Sequence, residues 1–246
     1  MEILNNRQNE YQKHQENLNL SKYKVFFVFG IAIGVTTLVT FLYTFILDYL
    51  FNIAGEYTLE PILASIIVPG IVSIITSLFF SFGSGLREGK VPLKITMFSL
   101  YSISMGIMLS AIQYLLALSG VNEQIFTISL LITSSVFVLC GILGFVIKNA
   151  NFLISVISFS STGLFALIIA NIFLGSSLIS WIVSLIFFLY MISITIYDFK
   201  FIQQATANVD KVSTSLAIIC AFRIYSDFIV LLFRVLLLVM VLFNRK

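Results

Sequence analysis

Seven long apolar segments dominate the chain and leave it few alternatives. Drawn at approximately 24–50, 59–82, 92–118, 124–147, 151–174, 177–200 and 212–243, each is long enough to cross a bilayer as a helix, which takes about 20 residues. Hydrocarbon offers no partner for a bare backbone amide, so runs of this kind close their hydrogen bonds internally as helices. With 59% hydrophobic and only 10% charged residues, a soluble domain is excluded. The expectation is an all-α membrane protein with seven transmembrane helices: a polar N-terminal tail at 1–23, then one membrane domain at 24–246.

Residues 1–22 are rich in Asn and Gln and read as a mobile or surface helix. The apolar run that begins at Val25 is too long for a signal peptide and reads as a retained first span. It holds Gly30 and Gly34 in a Gly-x-x-x-Gly spacing, a weak close-packing signal. Pro69-Gly70 lies inside the second span, where Pro removes one internal hydrogen bond, and Pro92 opens the third, where its missing N–H matters little. Gly83-Ser84-Gly85 is a loop signal without the Gly-Lys-Ser/Thr of a phosphate cradle. Nothing in the chain suits nucleic acid.

Charge fixes an orientation. Loops 2, 4 and 6 with their flanks carry Arg87, Lys90 and Lys94, then Lys148, then Lys200 and Lys211, while the tail adds Arg7, Lys13, Lys22 and Lys24. Loops 1, 3 and 5 contain no Lys or Arg, only acids such as Glu56 and Glu123. The positive-inside rule then places the N-terminus in the cytoplasm. Arg245 and Lys246 are the one dissent, because a seventh full crossing sets them outside; a re-entrant last segment is the alternative. Trp181, Tyr43 and Tyr49 read as interfacial anchors, and Asp48 and Glu60 as charges bordering the outer loop.

The only histidine, His14, sits in the tail. That excludes Ser-His or Cys-His catalysis, bis-histidine haem and a His-rich zinc site within the membrane. Cys140 and Cys220 lie in apolar segments and read as packing residues. No cofactor is expected.

Against this background a few charges stand out. Asp198 closes the sixth segment, on a face with Ser180, Ser184, Met191 and Thr195. Arg223, Asp227 and Arg234 lie inside the seventh, within about 40° of one another at 100° per residue. Each charge at such depth costs roughly 2.5–3.5 kcal/mol on insertion scales, so the stripe must face protein or water. A structural Arg223–Asp227 pair at i, i+4 is one reading. The other is functional: aspartates on consecutive spans can face one another, share a proton and form a proton-sensitive latch. Carboxylate oxygens also suit transient contact with a hard cation such as calcium.

Tyr197-Asp198, a short basic loop, and then Ile224-Tyr225-Ser226-Asp227-Phe228-Ile229 resemble the Bax inhibitor-1 family of membrane proteins. The motif-level match covers the last 50 residues or so, and the span count and orientation agree along the whole chain. The resemblance implies six helices around a central seventh and, as in bacterial members, a pH-sensitive calcium leak gated by an aspartate pair, here Asp198 and Asp227. It also implies a cation near the cytoplasmic end of the second span that engages the first aspartate; Arg87 is the nearest match. Lys200 and Val230 depart from the family pattern, as does the longer loop between the aspartates. The departure of most consequence is Arg223: a cation one turn before Asp227 favours the ionised carboxylate, so the expected pH response is shifted acidic or weakened.

The reading is therefore a passive cation channel, not an enzyme, whose partners are the lipid bilayer and calcium as the transported ion. A bacterial cell membrane is the expected location. Three rivals remain: an intramembrane aspartyl protease, which lacks here its glycine-flanked second aspartate; a stress-related scaffold with purely structural charges; and a proton-coupled transporter, whose inverted repeat is not evident.

Overall fold

The computed structural model describes residues 2–54, 59–82, 90–118, 120, 124–147, 149–174, 177–207 and 213–243, with side chains at 23–50, 60–82, 90–118, 120, 124–147, 149, 151–169, 181–206 and 213–240. Among these residues the chain forms seven helices and no strand. They are α1 (Glu2–Ala54), α2 (Leu59–Ser81), α3 (Val91–Leu118), α4 (Gln124–Val146), α5 (Ala150–Leu174), α6 (Ser177–Ala207) and α7 (Thr214–Phe243). All seven are long and apolar enough to cross a membrane.

Two boundaries differ from the sequence reading. The polar tail and the first span are one unbroken helix, because no Gly or Pro interrupts the chain before Gly30. α6 runs on to Ala207, also without a helix breaker, so Asp198 lies inside a span rather than at its end. Lys200 stays within that helix, donating from Nζ to Gln203 Oε1 at 2.7 Å, one turn on. α7 is a single 30-residue helix, long enough for a full crossing and unlike a re-entrant segment. Ser213 caps it, its Oγ accepting from the Leu216 amide at 3.2 Å.

The chain divides into two compact units. In the first (Met1–Glu123 with Thr206–Tyr225), α3 packs against both α1 and α2. A hydroxyl ladder joins α1 to α3. Thr36 Oγ1 reaches the Ser102 carbonyl at 3.2 Å, Thr40 Oγ1 the Gly106 carbonyl at 3.0 Å, and Thr44 Oγ1 the Ser110 hydroxyl at 2.8 Å. Both sides advance by four residues, so one face of each helix supplies every rung. Gly106 makes the approach possible: a Cβ there would meet the Thr36 carbonyl at 2.8 Å. Tyr43 bonds Ser65 of α2 at 2.5 Å, which gives it an interhelical role beyond that of an interfacial anchor. A Cβ added at Gly30 or Gly34, in contrast, would meet nothing within 4 Å among the described residues.

The second unit (Gln124–Ala205 with Ser226–Lys246) holds α4, α5, α6 and the second part of α7. Its close approach is between α4 and α6, where Gly141 and Gly144 of α4 receive Phe199 of α6. α5 is the most peripheral span, with 11% of its apolar window buried, and α7 the most enclosed, with 72%. That enclosure is what lets α7 carry charges that lipid would reject.

Candidate functional site

Asp198 and Asp227 both belong to the second unit, and both are buried, at 4% and 6% exposure. Phe137 of α4 relates them. Its ring centroid lies 5.1 Å from that of Phe199, the residue after Asp198, and 5.2 Å from that of Phe228, the residue after Asp227. Both contacts are edge-on, the arrangement favoured by aromatic quadrupoles. One side chain of α4 thus sets α6 and α7 at a common level, with an aspartate beside each contact.

One turn along α4, Cys140 is buried against α6, its thiol 4.0 Å from the Ile192 carbonyl. Asp227 Oδ2 is buried and takes no hydrogen bond among the described residues, although the residue as a whole is engaged, as is Asp198. Among the described residues, no three His, Cys, Asp or Glu side chains gather to hold a metal.

The remaining cations separate. Arg234 is half-buried and stacks on Phe187 of α6, its guanidinium carbon 3.8 Å from the ring centroid. An aromatic face is one of the few partners for an arginine that needs no second charge. Arg223 is half-buried one helical turn before Asp227 and is engaged. Arg87 lies outside the described residues.

A family model, described as Inhibitor of apoptosis-promoting Bax1, matches residues 19–245. The chain belongs to the Bax inhibitor-1 family. No curated protein matches it. Family membership and seven apolar helices together make it a multi-pass integral membrane protein. The match spans all seven helices of this family member, well beyond the last 50 residues in which the motif is visible.

Several residues that matter to this geometry escaped the sequence reading. Phe137 carries no charge and sits in a segment crowded with similar residues; nothing in its spacing marks it. Lys94, assigned to a basic flank, is 0% exposed inside α3 and donates from Nζ to Ser215 Oγ at the start of α7. Lys200, likewise assigned to a loop, is 9% exposed within α6. The positive-inside count registers a lysine's position along the chain and is blind to which way it faces. The one available signal was Tyr225, which stands in the family-like motif two residues before Asp227.

Proposed function

We propose that this family member is a passive cation leak, with calcium as the transported ion, gated by Asp198 and Asp227. The single observation that carries the reading is the shared Phe137 contact, which levels two buried aspartates in one packed unit. A proton shared between two such carboxylates joins them, while full ionisation leaves like charges repelling at low dielectric. The proton therefore acts on the packing of α6 against α7, and the path opens or closes with it. No bond is made or broken, so the chain works by conduction and not by catalysis.

Arg234, held by Phe187, keeps a fixed positive charge along the same helix, and Arg223 stands one turn before Asp227. Arg87 is the proposed cation for Asp198 at the cytoplasmic side. The N-terminus is cytoplasmic in this reading, as the loop charges require, and the location is a bacterial cell membrane. The test is calcium flux into liposomes carrying the purified protein, titrated from about pH 5 to 8. Asp198→Asn and Asp227→Asn should each flatten the pH profile; an unaltered profile in both variants contradicts the assignment.

A further inference from the structure

We infer that Tyr225 is a positioning residue that sets the rotation of α7 through a hydroxyl node with Thr36 and Ser102, a role that rests on the gating reading only where it concerns Asp227. Tyr225 is 0% exposed. Its hydroxyl lies 2.5 Å from Thr36 Oγ1 of α1, which itself reaches the Ser102 carbonyl of α3 at 3.2 Å. All three residues belong to the first unit.

Ser102 Oγ donates to the Phe98 carbonyl at 3.0 Å. Thr36 Oγ1 lies 2.9 Å from the Ala32 carbonyl and 3.2 Å from the Ser102 carbonyl, and it shares with Tyr225 a hydroxyl–hydroxyl bond in which either group can donate. The same threonine is the first rung of the α1–α3 ladder, so the node joins α7 to a pair of helices already fixed to each other.

The surrounding rings give the tyrosine its seat. Phe98 and Tyr101 of α3 lie edge-on to it, with centroids at 5.6 and 5.7 Å. One turn earlier on α7, Phe222 stacks on Phe80 of α2 at 4.0 Å. Apolar faces alone specify rotation weakly within a membrane, because lipid and leucine are nearly equivalent neighbours. A buried hydroxyl is specific, since any turn of the helix that breaks its bond leaves a polar group stranded. Asp227, two residues on, lies about 200° around the same helix and turns with it.

Tyr225→Phe keeps the ring and removes only the hydroxyl; Thr36→Val removes the threonine hydroxyl, and with it the bonds to Tyr225 and to the Ser102 carbonyl, and Thr36→Ser restores both. Two readouts separate this role from the conduction reading. The first is the alkylation rate of buried Cys220 of α7 by N-ethylmaleimide, in full-length protein in liposomes, followed by peptide mass spectrometry. The second is the pH profile of calcium flux. Tyr225→Phe and Thr36→Val should each speed alkylation about tenfold, the double variant no further, and Thr36→Ser should return the rate toward wild type. The flux midpoint should move in the first two variants and not in the third. Unchanged alkylation and an unchanged midpoint in Tyr225→Phe would overturn the inference, as would strictly additive effects in the double variant. A wild-type protein without flux, but with the alkylation pattern intact, defeats the conduction reading and sustains the positioning role.

Discussion

Gly144 of α4 lies so close to Phe199 of α6 that a Cβ added at 144 would stand 2.6 Å from the Phe199 Cβ, and 2.8 Å from the Ile196 carbonyl. Neither contact can be relieved by turning a side chain, because both are to backbone or to the first side-chain atom. Asp198 precedes Phe199 directly, so this approach of helices sets where the buried carboxylate sits. Gly144→Ala should therefore lower stability by about 2 kcal/mol or more through overpacking. Gly141, whose added Cβ would meet only the Phe199 ring at 3.4 Å, should tolerate alanine far better. Thermal unfolding of the two variants in detergent gives the comparison.

Phe137→Ala removes the ring that Phe199 and Phe228 share. A cavity of this kind costs about 3–5 kcal/mol in a well-packed core. Phe137→Leu keeps much of the volume and loses the edge-on contacts, so it should stay folded while broadening the pH dependence of flux. Unfolding curves check the first expectation and liposome titration the second.

Hydroxyls at the start of α7 allow an ordering test. Ser213→Ala removes a helix cap, at about 1 kcal/mol. Ser215→Ala takes an acceptor from the ammonium of Lys94, which is 0% exposed, and hydrogen bonds to charged groups contribute about 1.5–3 kcal/mol. Ser215→Ala should be the more damaging of the two. Equal effects would mean that Lys94 draws little from this contact.

Arg234 rests on Phe187 at 3.8 Å, a contact that needs a cation over an aromatic face and that arginine makes more often than lysine. Arg234→Lys and Phe187→Leu should each lose about 0.5–2 kcal/mol, and the double variant little more than either single one. A double-mutant cycle by thermal unfolding measures that coupling directly.

These residues also show what the sequence could and could not disclose. The spans were legible because the bilayer imposes a length and an apolarity that composition alone reveals. Asp198 and Asp227 were legible because charge is rare in such segments and conspicuous where it occurs. The end of α6 was misjudged at Lys200: a charge there looks like a loop, yet nothing in Phe-Lys-Phe-Ile-Gln-Gln stops a helix. Lys94 was misjudged for a related reason, since a count of basic flanks carries no information about facing. Phe137 and Gly144 lay out of reach because their importance comes from neighbours more than 50 positions away in sequence. Only the packed helices identify them.

The most direct measurement of the central claim is calcium flux into liposomes from about pH 5 to 8, comparing wild type with Asp198→Asn and Asp227→Asn. The account predicts flux that varies with pH in the wild-type protein and loses that variation in both variants. Flux no greater than in empty liposomes at every pH, with the variants equally silent, would contradict it.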